Sequence, residues 1–414
     1  MEHMIGLTDT AYLGRVGEVE LGASALAGVY YLVIYMLGFG FSVGAQVLMA
    51  RRNGEGEYKR IGEVFTQGGL FLFLLAAVLL TPYLLHRMIG SEEGYRATMS
   101  YLDWRVYGFF FSFIAVMFRA FYVSTTNTKI LTANSVVMVL TNVVLNYILI
   151  FGKFGFPALG IAGAAIASSI SEAVSVMFFV IYTWKKVDYK KYGLFRFTRV
   201  DFRMLGQILS VSIWVMIQHG IAFGGWFIFF IAMEHLGERP LAITNVVRSI
   251  SSFLFMFVNA FASTNSSLVS NLIGAGESDR VLPLSRRMIG LCYAFVLPIG
   301  ILIAMFPSTV LRIYTDNPDL IASSIPSLWV MLSSYLFAVP GFIYFFSVSG
   351  TGNTRRALEI DMASIFVYVL YILYVAVWLR ADVAVCWTTE YVYNIMILSS
   401  FFYLWKGNWR NKKI

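Results

Sequence analysis

Apolar runs of about 20 residues recur along the whole chain, separated by short polar connections, and each is long enough to cross a bilayer core as a helix. They place spans at roughly 22–49, 62–88, 100–124, 129–152, 160–184, 206–234, 241–268, 288–306, 325–349, 357–379 and 382–405. A shorter apolar stretch, "MIGLTDTAYLGRVG" (4–17), precedes them and carries a carboxylate, Asp9. The pattern predicts eleven full spans plus a partial first helix, in an all-α integral membrane protein. No polar stretch is long enough to form a separate soluble domain.

Composition agrees. The chain has 414 residues, 58% of them hydrophobic and 13% charged, where a soluble domain is nearer a quarter charged. The net charge of +8 is distributed unevenly. One alternate set of connections carries most of the Lys and Arg: Arg51, Arg52, Lys59 and Arg60; Lys129; the run in 185–203; Arg280, Arg286 and Arg287; Arg355 and Arg356; and the tail "KGNWRNKKI" (406–414). The opposite set has them only singly. By the positive-inside rule the rich set, tail included, is cytoplasmic. The charge therefore reads as topology in an inner (cell) membrane and calls for no nucleic-acid partner. Cys292 and Cys386 both fall in apolar runs, where a small buried hydrophobe is the plain reading. No basic n-region and no small-residue cleavage site precede the first apolar stretch, so no signal peptide is expected.

The most basic connection, "WKKVDYKKYGLFRFTRVDFR" (184–203), divides the chain into two sixes when the partial helix counts as the first. The halves resemble each other. "NGEGEYKR" (53–60) follows the second span and "IGAGESDR" (273–280) the eighth; "TNTK" (126–129) follows the fourth and "GNTR" (352–355) the tenth. Two matches in order at equivalent positions indicate a tandem repeat. The expected domains are an N-terminal lobe over 1–184, a basic cytoplasmic linker over 185–205, a C-terminal lobe over 206–405 and a basic cytoplasmic tail over 406–414. Two six-helix bundles related by a parallel repeat are a transporter architecture. The first helix has about 13 apolar-leaning residues, roughly 20 Å, against a core of about 30 Å. A start codon placed too late, or a lost N-terminus, is the expectation from that shortfall, with little transport until some 20–30 residues restore the span.

Particular residues point to a family. "TDTAYLGRVG" (8–17) resembles the end of the first helix in the multidrug and toxic compound extrusion (MATE) transporters. "TNVVLNYILIFGKFGFPALGIAGAAIASSISEA" (141–173) resembles that family's fifth and sixth helices, joined by a short "PALG" turn. The loop in "GAQVLMARRNGEGEYKR" (44–60) fits as well. The resemblance implies two six-helix lobes that alternate between outward and inward openings. It implies export of organic, chiefly cationic, compounds or drugs by H⁺ or Na⁺ antiport, by a monomer in the bilayer with no cofactor.

Ionisable groups inside spans are expensive and are functional candidates by default. The resemblance implies a cation-coupling carboxylate at Asp9; a carboxylate in apolar surroundings can load and release a proton near neutral pH. Asn142 and Asn146, four apart, share a helix face. Where the family has a cation site in this lobe the spacing reads Asn-x-x-x-Asp, so Asn146 replaces a titratable group with an amide oxygen, still a hard ligand for Na⁺. Glu172 lies in mid-span among small residues and is the candidate second carrier, with Ser168 one turn earlier. In the C-terminal lobe Gln218 and His219 are candidates for substrate or proton handling, where many members of the family carry a Glu. Arg119 and Arg248 sit inside spans; either could pair with Glu172 or with Glu390, and Arg248 could bear on substrate charge. No metal site is expected beyond Na⁺ at the coupling residues. The runner-up is a flippase for lipid-linked precursors or polysaccharide in the same superfamily; such proteins have larger, more cationic cavities, and the presence of only two Arg within spans argues against it. A membrane enzyme is further off, because His3, His86, His219 and His235 show no metal-ligand spacing.

Overall fold

The computed structural model describes residues 8, 9, 12, 13, 16, 18–78, 92–195, 200–315 and 317–410, and among them every regular element is helical. The long helices are α1 (Glu18–Gly54), α2 (Tyr58–Val78), α3 (Glu92–Arg105), α4 (Gly108–Ser124), α5 (Lys129–Phe151), α6 (Gly160–Lys186), α7 (Phe202–Leu236), α8 (Glu238–Gly274), α9 (Val281–Met305), α10 (Pro318–Gly350), α11 (Thr354–Ile372) and α12 (Thr389–Leu398). Nine helical segments among the described residues are long and apolar enough to cross a membrane. A tenth span results if α3 and α4, bent by 49° at their junction, are counted as one.

Two departures from the sequence pattern are physical. The span expected over 100–124 is a bent pair. The span expected over 382–405 is broken into Val383–Cys386, α12 and Ser400–Lys406. Of the first stretch, residues 8, 9, 12 and 13 are helical and Val16 is in a turn, and its other residues lie outside those described.

The chain separates into two compact units, residues 1–53 with 57–212, and 54–56 with 213–414. In the first, α5 shows how hydropathy becomes packing. Val136, Leu140, Val144 and Tyr147 are exposed along one side, and Asn134, Met138, Asn142, Asn146 and Ile150 are buried along the other. In a membrane the first face meets lipid and the second meets protein. The second face packs on α6, whose buried Gly163, Ala164, Ala167, Ser168, Ser171 and Ser175 let the helices approach closely. A side chain at Gly163 would collide with the carbonyl of Leu149. Helix α5 ends at Gly152, whose φ of +66° suits glycine as a helix terminator. The basic connection after α6 docks on the start of α2: Tyr192 packs edge-on to Tyr58, and Lys191 Nζ lies 3.9 Å from the centre of the Tyr58 ring.

In the second unit, Phe229, Val247, Leu254, Cys292, Val296, Leu328, Met331, Ile372 and Trp387 form one continuous core. Cys292 and Cys386 are free and buried. Helix α10 starts at Pro318, and the Asn317 side chain caps it by accepting from the Asp319 and Leu320 amides.

The repeat seen in sequence recurs in local geometry. Gly56 and Gly276 both take positive φ, and each precedes an ion pair three residues apart, Glu57 with Arg60 and Glu277 with Arg280. Thr126 and Gly352, in the other matched pair of loops, also both take positive φ.

Candidate functional site

In the first unit, α5 and α6 bring three predicted residues to Asp9. The Asp9 carboxylate is buried and receives hydrogen bonds at both oxygens. Asn146 Nδ2 donates to Oδ1 at 2.8 Å and Asn142 Nδ2 at 3.4 Å; Ser168 Oγ donates to Oδ2 at 2.8 Å and Tyr101 Oη at 3.3 Å. Asn142 Nδ2 also reaches Ser168 Oγ at 3.0 Å, and Asn146 Nδ2 reaches Asn142 Oδ1 at 3.2 Å. The arrangement follows from periodicity: Asn142 and Asn146 are one turn apart on α5, and the small residues of α6 bring Ser168 alongside. Hydrogen bonds to an ionised group are the strong ones, and a buried carboxylate without donors or a cation is prohibitively costly. Four donors therefore suit an ionised Asp9. A half-turn of either amide would exchange its donor for an oxygen ligand. Among the described residues, Asn146 Oδ1 is buried with no hydrogen-bond partner.

Glu172, one turn beyond Ser168, is bonded elsewhere. Arg105 Nη2 meets Glu172 Oε1 at 2.6 Å, and Tyr31 Oη donates to the same oxygen at 2.9 Å. The Arg105 guanidinium lies over the Tyr31 ring, 3.6 Å from its centre, and Tyr31 shares a 2.6 Å hydrogen bond with Ser112. The partner of Glu172 is thus Arg105, and neither of the arginines the sequence suggested. Arg119 lies over Phe39 at 4.8 Å and Arg248 over Phe230 at 4.7 Å. Arg105 and Tyr101 are residues that sequence reasoning passes over. Arg105 reads there as one of the singly scattered outer basic residues, although it falls inside the span drawn over 100–124. The available signal was that Tyr101 and Arg105 are four apart and so face the same way.

The second unit holds a carboxylate that was also missed. Asp361, on α11, is buried; it accepts from Tyr393 Oη at 2.9 Å and from the Gln218 side chain. This gives Gln218 a partner. His219 is half-buried on the next position of α7. Glu390 accepts from Tyr368 Oη at 3.5 Å, and the Tyr368 and Tyr393 rings pack edge to face at 5.9 Å.

Comparison with known proteins points one way. The MatE family profile matches residues 1–148 and 215–375. A probable multidrug resistance protein NorM of Synechocystis is 28% identical over 321 residues, 76% of this chain and 69% of that one. A protein of the same description from Thermotoga maritima is 26% identical over 387 residues, 91% of this chain and 82% of that one. Among solved structures, an outward-facing multidrug resistance MATE family transporter of the MOP superfamily superposes with a TM-score of 0.88 at 17% identity, covering 98% of this chain and 93% of that one. The Vibrio cholerae MATE transporter VcmN in its bent form gives 0.87 at 18%, covering 98% and 92%. At such identities the structural likeness speaks for the fold.

Proposed function

The chain belongs to the MatE family, whose members are multidrug and toxic compound extrusion transporters and not enzymes, and we propose that it exports organic, chiefly cationic, compounds by antiport against H⁺ or Na⁺. The observation that carries this reading is the buried Asp9 carboxylate with Asn142, Asn146, Ser168 and Tyr101 around it. Asp9 is the exchanging group, and the two amides and the hydroxyls hold it while ionised. The cation, H⁺ or Na⁺, replaces those donor bonds in the loaded state. Glu172 and Arg105 form the charged neighbours of that cluster. Gln218 and His219 belong to a second polar region with Asp361, and Arg248, over the Phe230 ring, bears on substrate charge from outside both clusters.

Eleven full spans and a short first one, arranged as two six-helix lobes over 1–184 and 206–405 and joined by the linker 185–205, are the architecture this reading uses. The tail 406–414 is cytoplasmic, the membrane is the inner membrane, and the working unit is the monomer. The matched geometry of the glycine loops and their ion pairs supports the repeat. The flippase reading is not favoured, because the relatives that this chain is similar to are described as probable multidrug resistance proteins.

The test is efflux of ethidium, an organic cation, from drug-sensitive cells that make the chain, beside Asp9→Asn, under imposed pH or Na⁺ gradients. Efflux that follows one gradient and disappears in Asp9→Asn is the expected result. Gradient-driven efflux that persists in Asp9→Asn would overturn the role of Asp9.

A further inference from the structure

Two carboxylates meet at neighbouring turns of α6. Asp9 is bonded by Ser168, and Glu172 follows Ser168 by four residues on the same face. Their surroundings differ in kind. Asp9 has only neutral donors, whereas Glu172 has a guanidinium at 2.6 Å. The bent span carries both connections, since Tyr101 of α3 reaches Asp9 and Arg105, one turn on, reaches Glu172. Arg105 is further fixed by the Tyr31 ring beneath it. The ion pair also sits against the backbone at the bend: a side chain at Gly108 would collide with Arg105 Nη1 and Glu172 Oε2.

We propose that Arg105 is the resident counter-ion of Glu172, withdrawing that carboxylate from ion exchange and leaving Asp9 as the single exchanging carboxylate of this unit. The proposal rests on the transport reading for its meaning and on the ion pair for its content. The charge count decides it. Asp9 and Glu172 supply two negative charges and Arg105 one positive, so one further cation neutralises the cluster. One cation per cycle then passes through this unit. Exchange of one H⁺ or Na⁺ for one monovalent substrate cation moves no net charge, and the ion's concentration gradient alone drives it. Arg105 is in this sense a positioning residue: its guanidinium bonds Glu172 and not Asp9.

A buried salt bridge gives the proposal a specific mutational signature, because breaking one partner leaves the other charge uncompensated whereas removing both does not. The titratable and charged groups facing the pair are Asp9, Tyr101 from α3 and Tyr31 from α1. The experiment is infrared difference spectroscopy of the purified protein in Na⁺-free buffer, read at the carbonyl stretch of protonated carboxyls as pH is lowered through the neutral range. Asp361 and Glu390 contribute equally to every sample and cancel between variant and parent. Asp9→Asn and Asp9→Asn with Glu172→Gln together are expected to give the same carboxyl band, and Arg105→Gln is expected to add a band to the parent's. A band that Asp9→Asn keeps and its combination with Glu172→Gln lacks would overturn the proposal, since Glu172 would then take up a proton with Arg105 beside it. Should Arg105→Gln fail to fold, the Asp9→Asn pair still decides. Asp9→Asn in the same series reports separately on the transport reading, since that reading requires loss of a band there. In reconstituted vesicles the proposal further expects Glu172→Gln to lose transport and the double variant to recover it in part, with the parent's ion-to-substrate ratio. A double variant as inactive as the single one would count against it.

Discussion

Asp9 is held by hydrogen bonds that run only toward it, and that polarity makes a quantitative expectation possible. Ser168 supplies one of the two 2.8 Å bonds. A hydrogen bond to a charged group contributes about 1.5–3 kcal/mol, and about 1.4 kcal/mol is a factor of ten. Ser168→Ala should therefore disfavour the ionised carboxylate, tighten retention of the coupling ion and slow turnover about tenfold. Vesicle transport rates against ion concentration check this, and an unchanged half-saturating concentration would contradict it. Gly108 offers a second test at this scale. Its missing side chain is what lets Arg105 and Glu172 lie against the bend. Gly108→Ala should lower stability by about 1–3 kcal/mol, the usual cost of forcing a group into packed space. Thermal unfolding in detergent measures it, and a midpoint equal to the parent's would show that the pair can shift aside.

Among the elements, periodicity predicted what hydropathy could see. The helix over 129–152 and its Asn142–Asn146 face were legible, because a four-residue spacing of polar groups in an apolar run has few other meanings. So was the close approach of the next helix, from its small residues. The bend between α3 and α4 and the breaks at either end of α12 were not. Mean apolarity is the same on a straight helix and a broken one. The tertiary partners of Arg105 and Asp361 were equally hidden, since α1, α6, α7 and α12 must be packed before Tyr31, Glu172, Gln218 and Tyr393 come within reach. Helix ends give a test here. Asn317 accepts two amides at the start of α10, so Asn317→Ala should lower stability by about 1 kcal/mol. Asn317→Asp, which keeps the acceptor, should restore it. Equal unfolding midpoints for the alanine variant and the parent would mean that the cap is dispensable. In the second unit, Tyr393→Phe removes the phenol bonded to Asp361 and should lower stability by about 1–3 kcal/mol. A variant unfolding at the parent's midpoint would show that Asp361 finds another donor.

For the whole molecule, charge asymmetry, the matched glycine loops and the buried carboxylate cluster support one description. Most basic residues fall in alternate connections and in the tail, so a reporter fused after Ile414 should be active only on the cytoplasmic side. Activity on the other side would reverse the orientation and with it the direction of transport. The central claim is that one carboxylate, Asp9, couples ion to substrate. The most direct measurement is substrate-driven ion flux in vesicles containing the purified chain, parent beside Asp9→Asn, with substrate on one side and no initial ion gradient. The account predicts that adding substrate moves H⁺ or Na⁺ the opposite way in the parent, and that Asp9→Asn moves none. Substrate-driven ion movement of the parent's size in Asp9→Asn would contradict it.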